Sequence, residues 1–461
     1  MKSIAILGAG ITGLTAAYRL TQRGHRVRVF ESTDRIGGAI RSERVDDWLI
    51  EAGPNTLLAG EPALTALIDE LGLAAERLGA GAAAKNRYIV RRGIPLAAPL
   101  SPPAFLGTSL FSFGAKLRLI SEILRRPRVR LADISLEDLV RDHFGQEIVD
   151  YALNPLIAGI YAGNPRKLSA RHALPKIWEL EQKHGSFLRG QMAAARANPD
   201  RRGAGIISFR LGLQMLPDAL VRRLPAETVA RHARIEALVP SASPGAAARQ
   251  KPSWSVVWND TANTHTENFD AVIAALPAPA LAHLRFGTLG ERPLASLDAI
   301  EHPPVSSLFL GYRREQVAHP LDGFGVLVPA VEKRSVLGIL FSSTLFTGRA
   351  PANHVALTVI VGGARQPELA RLPTDQLVAA VERDLRELLG VSGAPVIQRH
   401  TFWPRAIPQY NLGYETHLET MTAAERAHAG FFIGGQARDG IAVPACVAAG
   451  ERLARICASG P

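Results

Sequence analysis

The residues with the plainest chemical meaning stand at the start of the chain. An apolar run, Ile4 to Leu7, leads into Gly8-Ala9-Gly10-Ile11-Thr12-Gly13, and Leu14 to Arg23 follows with Leu14, Ala17 and Leu20 at helical spacing. Gly8 permits a tight turn, Gly10 lets the backbone approach a pyrophosphate, and Gly13 lets helix and strand pack closely. The helix start then offers free N–H groups and partial positive charge to the phosphates. Gly24 ends the helix, Arg26 to Phe30 reads as a second strand, and Glu31 stands at its end, where an acid accepts ribose hydroxyls. An acid there disfavours a 2′-phosphate and argues against NADP. Strand, glycines, helix, strand and acid in that order predict a dinucleotide site.

Two further stretches narrow the choice. Arg35-Ile36-Gly37-Gly38-Ala39 and Arg41 follow Glu31, and then comes Glu51-Ala52-Gly53-Pro54-Asn55-Thr56. Adjacent glycines make a second close backbone approach, and the arginines can neutralise a pyrophosphate. This arrangement resembles the flavoprotein extension of the motif, in which a second loop closes over FAD. Near the C-terminus, Phe431 to Ile433 reads as a strand followed by Gly434-Gly435, and Asp439-Gly440-Ile441-Ala442-Val443 leads into a helix from Pro444 to Ile456. The start of that helix can stabilise negative charge on a reduced flavin ring.

More distinctive stretches lie between. They are Asn86-Arg87-Tyr88-Ile89, Asn154-Pro155 through Gly159 and Gly163 to Pro165, Leu168-Ser169, and Trp178 to Glu181. Gly323 to Leu327, Phe341 to Ser343, Arg349-Ala350-Pro351, Ile407 to Tyr410 and Gly440 to Val443 complete the set. On these, and over nearly its whole length, the chain resembles the protoporphyrinogen oxidase family within the flavin amine oxidase superfamily. The resemblance implies non-covalent FAD held by Gly8, Ala9, Gly10, Ile11, Thr12, Gly13, Glu31, Ser32 and Ala39. Gly53, Pro54, Asn55 and Thr56, Ile235 beside the adenine, and Ile441, Ala442 and Val443 extend that set, and Gly38 and Arg41 join it by the reading above. Substrate contacts are implied at Arg87, Gly159, Leu327, Leu340 and Ile360. Ile360 departs from the aromatic ring that a plant member carries there, so aliphatic contact replaces stacking.

The implied activity is oxidation of protoporphyrinogen IX to protoporphyrin IX in haem biosynthesis, by hydride transfer to flavin N5 with O2 as acceptor. The alternative substrate is coproporphyrinogen III, which carries two more propionates. The middle motifs resemble the eukaryotic-type members and favour the former. Such chemistry belongs to the cofactor, so no catalytic side chain is assigned, and the protein must supply an apolar slot with a cation or two at its mouth. Leu327, Leu340 and Ile360 suit slot walls or plain core. Arg87 suits a propionate partner or a solvated surface, and Asn55 the substrate side of the flavin or a turn. Thirteen histidines without ligand spacing predict no metal, and His143, His172 and His184 read as surface or core groups. Amine oxidation would want a cysteine just before the last strand for covalent attachment and an aromatic ring near Ile441, and neither is present.

These residues need a scaffold of class α/β: a Rossmann-like FAD-binding domain, a mixed-sheet substrate domain and an inserted helical membrane-contact domain. The FAD domain is expected over residues 1–82, 206–290 and 415–461. The substrate domain is expected over 83–94 and 291–414, and the helical domain over 95–205, with turns at Pro102-Pro103, Pro127, Pro155 and Pro165. Ser253 to Trp258 and Phe269 to Ala275 read as strands, and Ser241 to Pro252 as a surface loop. Thr374 to Leu389 is the single helix expected in the substrate region, with Leu377, Val381, Leu385 and Leu388 on one face.

Composition sets outer bounds. The 461 residues are 47% hydrophobic and 21% charged, which excludes a disordered chain. No run of about 18 apolar residues exists, which excludes a spanning helix. Cys446 and Cys457 are too few for a disulfide framework, and no charged leader precedes Ile4, so a cytoplasmic location is expected. The net charge of +11 admits acidic partners. The arginines at 125–130 lack interleaved aromatics, so nucleic acid is not expected. Phe105, Leu106, Leu110, Phe111 and Phe113, followed by Lys116, Arg118, Arg125, Arg126, Arg128 and Arg130, suit either a peripheral membrane anchor on the cytoplasmic face or a packed helical layer with a basic edge. A homodimer is compatible with all of this.

Overall fold

Short β-branched runs build the first sheet. Val229–Ala230, Arg26–Phe30, Ser3–Leu7, Ala271–Ala274 and Phe431–Ile433 lie side by side in that order, all parallel. The chain leaves Ser3–Leu7 toward Arg26–Phe30 on one side and returns as Ala271–Ala274 on the other. That reversal opens a crevice at the carboxyl ends of the strands. Helix Ile11–Gln22 and the last helix, Val443–Ser459, cover one face. They approach closely because Gly450 has no side chain: a Cβ there would sit 2.6 Å from the Thr15 Cβ. This computed structural model describes residues 1–126, 130–197, 205–240 and 253–459. Pro127, Arg128 and the stretch 241–252 lie outside the described residues.

A smaller antiparallel sheet of Thr264–Phe269, Trp254–Asn259 and Arg234–Pro240, with Arg285–Phe286 added in parallel, flanks the first. The strand expected from Phe269 to Ala275 is Ala271–Ala274, and a further strand, Thr264–Phe269, precedes it in another sheet. The break falls at Asp270, whose carboxylate accepts the Ser3 N–H at 2.6 Å and so turns the chain.

The second large sheet is mixed and seven-stranded. Its order is Ile397–Trp403, Val305–Arg313, His354–Gly362, Val336–Leu340, Gly323–Leu327, Asn86–Arg91, Ile94–Ala97. One face packs Leu308, Leu310, Val326, Ile339, Val359 and Val361 against Leu377, Val381, Leu385 and Leu388 of helix Thr374–Leu389. That helix is not alone in the region, since Ser342–Leu345 forms a short second one.

The stretch between the two parts of the sheet is helical, with Phe113–Ser121, Leu136–Phe144, Pro175–His184 and Phe187–Ala197 as its main rods. Pro102 and Pro103 begin a helix, Pro102–Gly107. Pro155 is not at a turn. It lies inside helix Asn154–Tyr161, which continues from a π-helical turn, Val149–Leu153. Proline has no N–H for the preceding turn, and the wider π turn absorbs the loss.

Candidate active site

The three glycine-bearing stretches meet at the crevice of the first sheet. The Gly8 N–H donates to the Phe30 carbonyl at 2.8 Å, and the Gly37 N–H to the Ala9 carbonyl at 2.9 Å. Gly10 and Gly38 face each other so closely that a Cβ on Gly38 would lie 3.2 Å from the Gly10 Cα. A Cβ on Gly13 would run into the Gly8 carbonyl oxygen, and one on Gly53 into that of Ala39. Gly53 thus stands beside Ala39. The third stretch closes on the first: a Cβ on Gly435 would lie 3.8 Å from the Thr12 hydroxyl, which donates to the Cys446 carbonyl at 3.1 Å. Ile441, Ala442 and Val443 lead into the last helix at this point.

Glu31 sits where the sequence puts it, at the end of its strand. Its Oε2 accepts the Ala9 N–H at 3.1 Å and its Oε1 the Thr33 hydroxyl at 2.8 Å. Ile235 is brought near by the next segment, whose Ala233 N–H donates to the Glu31 carbonyl. Ser32, Gly38 and Ala39 are exposed at the rim. Arg35 departs from its expected role: its guanidinium donates to the Ile36, Gly38 and Ile40 carbonyls and holds its own turn. Arg41 remains exposed beside Glu43 at 3.8 Å.

The cradle fits a flavin dinucleotide on its own geometry. Helix Ile11–Gln22 starts at Gly10 with no side-chain cap and no acid in its first turn, so its N–H groups are left for an anion. The pair Gly10 and Gly38 keeps a channel that two Cβ atoms would narrow. Gly8–Gly13, Glu31, Gly38 and Gly53–Thr56 would hold the cofactor, which supplies two-electron chemistry when bound.

The mixed sheet presents its other face toward this crevice. Register pairs Leu327 with Gly338 and Ile89, Gly338 with Ile360, Leu340 with Gly325 and Thr358, and Ile360 with Ser307. Paired residues share a face and neighbours alternate. Arg87, Ile89, Leu327, Gly338, Leu340 and Ile360 therefore line one side. Leu327, Leu340 and Ile360 are all partly exposed, whereas Val326, Ile339 and Val359 between them are buried under helix Thr374–Leu389. Arg87 is exposed, its guanidinium 5.6 Å from the centre of the Phe324 ring. Helix Asn154–Tyr161 packs on this face at Gly159, where a Cβ would lie 3.0 Å from Leu327 Cδ2. Trp403 ties this face to the cradle, its indole N–H donating to the Ala52 carbonyl at 3.0 Å.

Several contributors escaped the sequence reading. A Cβ on Gly325 would meet the Ile339 carbonyl oxygen and one on Gly338 the Val326 carbonyl oxygen, so these glycines let the strands approach. Arg365 donates to the Val328 carbonyl at 2.8 Å and to Asn154 Oδ1 at 3.0 Å, fastening the helix that carries Gly159 to the end of the Leu327 strand. Burial pushes its guanidinium down to about 10. Only the register, not the local sequence, signals these roles.

The basic stretch is more internal than expected. Arg130 donates to Glu181 at 2.8 Å and to Asp142 at 2.7 Å, and Arg125 also reaches Asp142. Leu110 and Phe111 are core. His143 is fully buried, with Nδ1 3.0 Å from Glu122 and Nε2 3.0 Å from Glu181. Glu122 also accepts the Ser186 hydroxyl and the Phe187 and Leu188 N–H groups at the start of helix Phe187–Ala197. Asp142, His143 and Glu181 lie close enough to suit a cation, yet Arg125 and Arg130 already supply the positive charge there.

Comparison with known proteins agrees with this layout. Residues 11–458 match the flavin-containing amine oxidoreductase family. Protoporphyrinogen oxidase 2 of Arabidopsis thaliana is 34% identical, over 98% of this chain and 93% of its own. The coproporphyrinogen III oxidase of Bacillus subtilis is 26% identical, over 98% of this chain and 96% of its own. A crystal structure from Exiguobacterium sp. 255-15, provisionally named a protoporphyrinogen oxidase, superposes with a TM-score of 0.82 at 24% identity, covering 98% of each chain, and so shares the fold. The chain belongs to the flavin-containing amine oxidoreductases, in their protoporphyrinogen oxidase branch, and its cofactor is FAD.

Proposed function

We propose that the protein oxidises a porphyrinogen in haem biosynthesis, with protoporphyrinogen IX as substrate and coproporphyrinogen III as the alternative. The observation that carries this reading is the shared face: Leu327, Leu340 and Ile360 lie on one side of the sheet, Gly159 approaches Leu327, and Arg87 stands on the same side. A flat, largely apolar tetrapyrrole with propionates suits that surface. Apolar contact orients the macrocycle, and the guanidinium binds a carboxylate in a charge-assisted bond. FAD held by the Gly8–Gly13 and Gly53–Thr56 segments would supply the two-electron oxidation, with O2 as the proposed final acceptor. The chain's own work is to hold the ring against the cofactor, keep water out and neutralise the carboxylate.

The same reading places the enzyme in the cytoplasm, as a homodimer or a monomer, touching a membrane from that side. Phe113, Leu117, Ile120 and Leu124 are exposed at helical spacing, with Leu106 also exposed and Lys116 and Arg126 nearby. An apolar stripe beside cations is what an interfacial contact needs. Cosedimentation with anionic vesicles that is lost in F113S/L117S supports it, and equal pelleting of both proteins removes it.

The decisive experiment is anaerobic. The purified yellow protein should bleach when protoporphyrinogen IX is added and recover its colour in air. Faster bleaching with coproporphyrinogen III would exchange the two substrates, and no bleaching with either overturns the assignment.

A further inference from the structure

Glu51 lies at the junction of three parts of the chain. It ends strand Trp48–Glu51, one residue before the Ala52–Thr56 segment. It is buried, 4% exposed. Its Oε2 accepts the Ser42 hydroxyl at 2.6 Å from the neighbouring strand, and its Oε1 accepts the Leu213 N–H at 2.9 Å. From the mixed-sheet side comes Arg349, 2% exposed, with Nη2 3.5 Å from Glu51 Oε1 and 2.6 Å from the Ser208 hydroxyl. Arg349 Nη1 is buried without a protein partner. Beside the pair is a cavity of about 10 Å³, lined by Glu51, Asn55, Phe309, Ser342 and Arg349 among others, with room for a single water.

Among the described residues, the groups bonded to Glu51 are one cation, one hydroxyl and one amide. Arg349 is the charged group that faces it. Burial pushes the carboxyl up to about 7, against the pull of Arg349, Ser42 and the Leu213 amide. Burial likewise lowers the Arg349 guanidinium. Nothing in the substrate slot or the dinucleotide cradle requires a buried ion pair here, and an apolar pair would pack at less cost.

We infer that Glu51 and Arg349 form a titratable latch that positions the Ala52–Thr56 segment against the mixed sheet, the ionised carboxylate drawing the two together and the neutral acid releasing them. Asn55 lines the cavity beside the pair, which joins the latch to the Ala52–Thr56 segment. These are positioning residues, acting through the loop rather than on the reacting atoms. The inference rests on the flavin reading of that loop.

The test is the visible spectrum of the bound flavin across pH 5.5 to 9, with FAD affinity and porphyrinogen kinetics measured in parallel on holoenzyme. Wild type should show a spectral step near neutrality, and kcat should rise across it. E51Q should retain FAD within a few-fold, lose the step and flatten the kcat profile at unchanged KM. R349K should keep the step at a displaced pH, while R349M loses it. If E51Q folds and titrates like wild type, the latch is wrong, and a R349K profile identical to wild type is equally damaging. A spectral step that E51Q removes, in a protein that turns over no porphyrinogen, leaves the latch standing and removes the substrate assignment. Wild type that binds no FAD overturns both.

Discussion

Around Gly10 the polar groups that matter are backbone N–H groups left free by glycines, whereas around His143 they are side chains satisfied by one another. The cradle at the end of Ser3–Leu7 keeps its donors unpaired and its Cβ atoms absent, as an anion site requires. The helical layer pairs its polar groups at its centre. It buries Glu122, His143 and Glu181 with Arg130 in one closed network, and that network caps helix Phe187–Ala197. The candidate binding site is thus marked by backbone donors left over, whereas His143 and the carboxylates about it pair with one another.

The comparison can be broken first at the glycines. G13V drives side-chain atoms into the Gly8 carbonyl and should leave no folded, flavin-bearing protein, whereas G10A has room for its Cβ, 4.0 Å from the Gly38 Cα, and should fold. G10A narrows the anion channel, so FAD affinity should fall about tenfold or more, roughly 1.4 kcal/mol, at an unchanged melting temperature of the FAD-free protein. Equal FAD affinity for G10A and wild type would mean that the channel is not the phosphate site.

The network should fail differently. H143Q leaves two buried carboxylates facing a neutral amide, and we expect a loss of about 3–5 kcal/mol in stability with no change in FAD affinity of the folded fraction. The pH dependence follows in sign. Burial pulls the His143 imidazolium down, but hydrogen bonds to Glu122 and Glu181 outweigh it, so its pKa stands above the ordinary value. Its contribution is complete below the unfolded pKa and fades as pH rises through the folded one. Glu122 and Glu181 are held below the usual carboxylate range despite burial, so their share fades in acid. Amide exchange in Phe187–Ala197 should therefore accelerate at both extremes, and a flat profile would separate His143 from the fastening of that helix.

The smallest effect is expected at the slot. Arg87 is exposed, so R87A should raise KM for the porphyrinogen by about tenfold while FAD binding stays constant. Equal loss of both would make Arg87 a structural residue.

The two regions also differ in how readable they were. Gly8 to Gly13, Glu31 and the helix Thr374–Leu389 follow from spacing over a few residues, because turn geometry and helical period are local. Thr264–Phe269 was missed because its alternation is polar, and Pro155 was misread because the π turn that tolerates it cannot be seen in sequence. Arg125 and Arg130 looked like surface charge since their partners, Asp142 and Glu181, come from other helices.

Sequence alone predicted a dinucleotide site at the first strand and a final helix returning to that strand, since each motif carries its own geometry. Whether Leu327, Leu340 and Ile360 were wall or core was decided only by tertiary structure. Strand register gave all three the same side, and helix Thr374–Leu389 covered the opposite one. A one-residue slip would have exchanged the faces, and no local pattern in those apolar strands forbids it.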